Sequence, residues 1–124
     1  MLIVSQNALN QNIEFPEATV YRINLAWINS IEELEILLTK HNTQSIFLDL
    51  PKDRIKPPNN RYTLEDLFNI LNTHKNIKYF AISNVNSPDD LKIYNPILYY
   101  KKHLCQLHRR MAQIFSERAI FVFE

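Results

Sequence analysis

Three times in the first hundred residues, a strand-like run of apolar positions gives way through a polar junction to a helical one. Thr19–Ala26, Ser45–Leu50 and Ile77–Val85 read as strands, rich in β-branched and aromatic residues. Ser45-Ile46-Phe47-Leu48-Asp49-Leu50 is almost wholly apolar, as expected of a strand covered on both faces. Ser30, with Glu33 three residues on, forms a capping box ahead of an apolar stripe of Ile31, Leu34, Leu37 and Leu38. Thr63 and Asp66 repeat the device ahead of Leu64, Leu67, Phe68 and Leu71. Ser87 caps a third predicted helix with Pro88 at its first position, where the missing N–H costs nothing. Pro51 ends the second strand, and residues 52–61, with Pro57, Pro58, Asn59 and Asn60, read as loop. Leu2–Val4 reads as a short strand ahead of a loop through Pro16. Repeated strand-to-helix units predict parallel β/α architecture, in which chemistry collects at the carboxyl ends of the strands. Those ends carry Arg22 and Asn24, then Asp49, then Ser83 and Asn84.

The texture changes after Pro96. Residues 97–118 read as a helix with Lys, Arg and His clustered at 101–103 and 108–110, and Ala119–Phe123 as a last short strand. The expected organisation is a β/α part over 1–95 and a helix-and-strand ending over 96–124, in one compact unit. A closed (β/α)8 barrel takes about 250 residues, so 124 leave room for roughly half of one. The predicted fold class is therefore α/β: a partial, half TIM-type β/α barrel with parallel strands and a C-terminal helix. Such a half barrel exposes unpaired sheet edges, which predicts a homo-oligomer or association with a missing barrel half.

Composition narrows the function classes. The formal net charge is +1, which provides no global field for nucleic acid or an anionic membrane. Positive charge gathers at the end, with five Lys/Arg against two Asp/Glu over 96–124. Cys105 is the only cysteine, which excludes an intrachain disulfide and a CxxC motif and points to a reducing cytoplasm. The N-terminus lacks the basic start and apolar length of a secretory signal, and no run reaches transmembrane length, so no membrane role is expected. Glycine is absent, which rules out phosphate-cradling GxxxxGK[ST] and GxGxxG loops. Left-handed turns must then fall to asparagine, with Asn42, Asn59, Asn60, Asn72, Asn76 and Asn95 as candidates.

Arg22 and Asn24, two apart on a strand, project to one face, with Asp49 at the end of the next strand and Lys56 in the loop beyond. Arg, Lys, Asn and Asp converging at strand ends can hold a phosphorylated acid together with a cation. The plainer alternative is a buried Arg22–Asp49 salt bridge that orients two adjacent strands. His41, His74, His103 and His108 have no metal-site spacing and read as surface residues; Cys105 reads as a core or half-buried thiol. The basic run of Lys101, Lys102, His103, His108, Arg109 and Arg110 reads as a solvated helix face, with nucleic-acid contact the lesser alternative.

In order, these segments resemble the pyruvate kinase barrel. Val20-Tyr21-Arg22-Ile23-Asn24-Leu25-Ala26 is similar to that family's Ala-Arg-Leu-Asn-Phe-Ser strand, and a glutamate-rich helix follows both. Ile46–Asp49 and then Ile55-Lys56 resemble a strand ending in Leu-Asp that runs on to Ile-Arg. Pro57-Pro58 and Thr63-Leu64-Glu65-Asp66-Leu67 resemble the segment that follows the family's lid domain, here joined directly with the lid absent. Tyr79–Val85, with Ser87-Pro88-Asp89-Asp90-Leu91, is similar to Phe-Ile-Ala-Leu-Ser-Phe-Val and its continuation. The resemblance covers residues 18–94 and extends to the citrate-lyase-type aldolases that share the barrel.

The resemblance implies a phosphoenolpyruvate-type site. Arg22, Lys56 and Ser83 would bind substrate phosphate or line its pocket, and Asn24 and Asp49 would serve a cation and nucleotide phosphates. Magnesium and potassium are the implied ions, yet Ala26 replaces a cation-binding serine. The family's Lys-x-Glu strand and metal-binding aspartate have no counterpart after Pro96. The expectation is a fragment without catalysis of its own that keeps a phosphate or carboxylate site. Truncation, frameshift or fusion are the readings of its different ending. The alternatives are a pyruvate-kinase-like or aldolase-like enzyme completed by another chain, and a nucleic-acid-associated module.

Overall fold

The computed structural model of the chain describes residues 2–5, 14–52, 62–96, 110–115 and 118–123, with side chains described at 2–5, 14–52, 62–96 and 120–123. Lys56, Cys105, His103 and His108 lie outside the described residues, as do Lys101, Lys102 and Arg109 of the basic run. Among the described residues six strands form one open sheet: β1 (Ile3–Ser5), β2 (Val20–Asn24), β3 (Ser45–Pro51), β4 (Ile77–Ser83), β5 (Arg110–Phe115) and β6 (Arg118–Val122). Their spatial order is β1-β2-β3-β4-β6-β5. The first four run parallel, in chain order, with Val20 opposite Ser45 and Asn24 opposite Asp49. The three strands expected to be adjacent and parallel are so.

The ending departs from expectation. Residues 110–115 form a strand where a helix through 118 was predicted, and β5 pairs antiparallel with β6. β6 in turn pairs antiparallel with β4, Phe121 opposite Phe80 and Ile120 opposite Ala81. Alternating Met111, Gln113 and Phe115 with Ala112 and Ile114 suits a strand as well as a helix, and pairing with β6 decides the matter. The sheet is thus mixed and open. Among the described residues, no helix is long and apolar enough to cross a membrane.

Two helices, α1 (Ile31–Lys40) and α2 (Leu64–Thr73), follow β2 and β3. Ser30 Oγ accepts the Glu33 N–H at 3.1 Å, while the Glu33 carboxylate reaches past the cap to the Asn29 N–H at 3.0 Å. Thr63 and Asp66 make the full reciprocal box, at 3.1 and 2.9 Å. The third predicted helix is a 3-10 helix, Pro88–Tyr94. β2 is shorter than expected because Asn24 Oδ1 accepts the Ala26 N–H at 3.0 Å and opens a 3-10 turn, Leu25–Trp27.

Helices on one face follow from consecutive parallel strands joined by right-handed crossovers. Ile23, Ile46, Leu48, Leu50, Phe80, Ile82 and Phe121 pack with Leu34 and Leu38 of α1 and Leu67, Ile70 and Leu71 of α2. Each fully buried Leu or Ile contributes about 1.5–3 kcal/mol, so this layer holds the helices to the sheet. Ile70 joins the core, whereas Leu64 stays 43% exposed, because the box places it in the first turn beyond the sheet. On the opposite face, Val20, Phe47 and Ala81 form a second cluster with Tyr79 and Ile120, and no described helix contributes to it.

Among the described residues the one positive φ is at Asn84, 62°, just past β4. Asn42, Asn72, Asn76 and Asn95 do not take the left-handed conformation expected of them, and Asn59 and Asn60 lie outside the described residues. Asn76 uses its side chain instead, Nδ2 donating to the carbonyls of His41 and Gln44 at 3.1 Å each.

Candidate functional site

Strand alternation assigns the polar residues. Arg22 sits two residues after Val20, Asp49 two after Phe47, and Ser83 two after Ala81, so all three share the parity of the helix-free cluster. Ser83 ends β4, while Arg22 and Asp49 each lie two residues before the last of β2 and β3. The parallel register brings them together: Asn24 faces Asp49, and Pro51 faces Ser83.

Asp49 is the centre, only 1% exposed. Arg22 donates to its Oδ2 through both Nε, at 3.1 Å, and Nη2. The Ser83 hydroxyl donates to Oδ1 at 2.9 Å. A buried carboxylate needs this much: each oxygen has a donor and the charge has a partner. Arg22 is the accessible member, its side chain 32% exposed. Nη1 has no hydrogen-bond partner among the described residues.

Of the residues expected in the site, Arg22, Asp49 and Ser83 are therefore joined directly. Ser83, expected only to line the pocket, is part of the network. Asn24 is beside them by register, but its Oδ1 is engaged in capping the turn at Ala26. Lys56 is outside the described residues.

Lys52 is a residue the sequence reading passed over. It follows β3 directly, its N–H donates to the Ser83 carbonyl at 3.2 Å, and its carbonyl accepts Asn84 Nδ2 at 2.9 Å. Its ammonium stands 4.0 Å from Asp90. The N–H groups of Asn86 and Ser87 hold the Asp90 carboxyl below its ordinary value against desolvation, and the Lys52 ammonium adds to the lowering. The signal was available: a lysine one place past a strand whose end carries an aspartate.

The implied magnesium and potassium do not fit these residues. Both oxygens of Asp49 are occupied by donors, one of them a guanidinium, and Asn24 Oδ1 is already bonded. Among the described residues no three His, Cys, Asp or Glu side chains group as metal ligands. His74 bonds Glu35 through Nε2, and the His41 ring lies against Tyr21 with centroids 5.7 Å apart. Both cap the C-termini of their helices, and both are half-buried where surface residues were expected.

No protein-family model, no curated protein and no solved structure matches this chain.

Proposed function

We propose that this chain is a β/α binding module that takes a small phosphate- or carboxylate-bearing molecule at Arg22 and performs no phosphoryl transfer by itself. The observation that carries the reading is the state of Arg22. One edge of its guanidinium is fixed by Asp49, Nη1 is without a partner among the described residues, and about a third of the side chain meets solvent. A guanidinium held in this way presents its remaining N–H groups in a fixed plane, which suits a carboxylate or phosphate better than a mobile lysine would. Asp49 also cancels part of the positive charge, so binding is weak by the standards of enzyme active sites.

The resemblance to the pyruvate kinase barrel enters in the same spirit. Four consecutive parallel strands, with Arg22, Asp49 and Ser83 toward their carboxyl ends on the helix-free face, are what a segment of such a barrel would have. The antiparallel β6 then stands where the next parallel strand of a barrel would be. The described residues offer no donor set for the family's ions, so in this reading a ligand is bound by Arg22 without metal assistance and without a catalytic role for the site.

A second reading is favoured by the burial of Asp49: the trio is a structural clasp across β2, β3 and β4 and holds no ligand. Calorimetric titration with phosphoenolpyruvate and with inorganic phosphate separates the two. The binding reading expects saturable heat that weakens at least tenfold in Arg22→Lys, which keeps the charge and loses the planar fork. Absence of heat at millimolar ligand overturns it and leaves the clasp.

A further inference from the structure

At the other end of the sheet, before the strands begin, three buried side-chain polar atoms have no hydrogen-bond partner among the described residues: Thr19 Oγ1, His41 Nε2 and Gln44 Oε1. They occupy one corner. Thr19 and Gln44 immediately precede Val20 and Ser45, which face each other in the β2–β3 register. Gln44 closes the turn after α1, its N–H donating to the His41 carbonyl at 3.2 Å. His41 packs on Tyr21, which has the parity of Thr19. Thr19 is 2% exposed.

The Gln44 amide lies close enough to favour the protonated His41 ring, yet His41 Nε2 and Gln44 Oε1 are out of bonding geometry, and leaving three such groups buried and unpaired costs about 1–3 kcal/mol each, more than a marginally stable domain tolerates without compensation. Asn76 already joins the His41 and Gln44 carbonyls, so the backbone of this corner is satisfied and only the side chains remain. We propose that Thr19, His41 and Gln44 form a binding site for one internal water molecule, which links the loop before β2 to the turn after α1. The donor and acceptor inventory matches. The water donates to Gln44 Oε1, accepts from the Thr19 hydroxyl, and bonds His41 Nε2 as that nitrogen's tautomer requires. Buried waters typically make about three such bonds, and a site this polar holds one where an apolar cavity would stay dry.

A high-resolution crystal structure of the whole chain tests this. One water within roughly 2.7–3.2 Å of all three atoms is expected. A dry corner, or side chains rotated so that the three atoms bond one another directly, overturns the proposal. In solution, nuclear Overhauser contacts from a long-lived water to the His41 ring protons are expected in the native chain and in Thr19→Ser. They should be lost in Thr19→Val, and their absence from the native chain, or their survival in Thr19→Val, contradicts the site.

Discussion

Arg22 and Asp49 show what a single pair of side chains can be asked to do. Removing the arginine strands a carboxylate at a position 1% exposed, and breaking a buried pair in this way costs about 3–5 kcal/mol. Arg22 is itself partly solvated, so we expect Arg22→Ala to lose stability toward the lower end of that range, about 3 kcal/mol, in urea unfolding. Arg22→Met combined with Asp49→Leu should recover most of the loss, because no charge is then left buried. Equal and additive losses would mean that the pair is not coupled. His41 sets a pH dependence. Burial, with Lys40 adjacent, holds its imidazole below its ordinary value of 6.5, against the Gln44 amide, which raises it. The unfolded chain therefore binds the proton more readily than the folded one. This contribution to stability is complete above about pH 6.5 and is lost as pH falls toward the lower folded value. In His41→Gln, urea midpoints should lose that slope as pH falls below about 6.5; an unchanged slope would exclude His41 as its source. The pairing of Arg22 with Asp49 was legible in the sequence, since alternation and two strand ends suffice to bring them near. Ser83 as donor to Asp49 was not, because it depends on the register shift between β3 and β4 near Ile46 and Phe47.

Among the elements, capping chemistry predicted best. Ser30 and Thr63 open helices where expected, and Thr63 with Asp66 makes both reciprocal bonds. Thr63→Ala should cost about 1 kcal/mol in thermal or urea unfolding, as loss of an N-cap does. A change below a few tenths would mean that α2 is held by Leu67, Ile70 and Leu71 alone. The third helix was legible in its Ser87-Pro88 opening but not in its type. Asp90 turns back to the N–H groups of Asn86 and Ser87, and the segment stays a 3-10 helix from Pro88 to Tyr94. The tail was misread for a different reason. Its apolar positions fit two periods at once, and the strand form is fixed by pairing with β6, itself anchored on β4, a long-range fact that no local pattern contains.

For the molecule as a whole, strand order follows chain order through β4 and then reverses direction with β6 and β5. This arrangement leaves β1 and β5 outermost. Leu2 and Ile3 on or beside β1 are exposed, and β1 is only three residues long. The exposed apolar side chains of such an edge invite association with another chain even though the shortness of β1 limits strand pairing, so light scattering at micromolar concentration should report a dimer or larger species. A monodisperse particle near 14.8 kDa would show that the edges are adequately protected within one copy. The central claim is the anion site at Arg22, and it is tested most directly by titrating the isotopically labelled chain with phosphoenolpyruvate while observing the Arg22 Nε–H resonance. The account predicts a saturable shift of that resonance, accompanied by the amides of Asn24, Leu50 and Asn84, and in Arg22→Lys, which lacks that N–H, a response of those three amides weakened at least tenfold. A resonance that stays in place at millimolar ligand while the chain remains folded would contradict it.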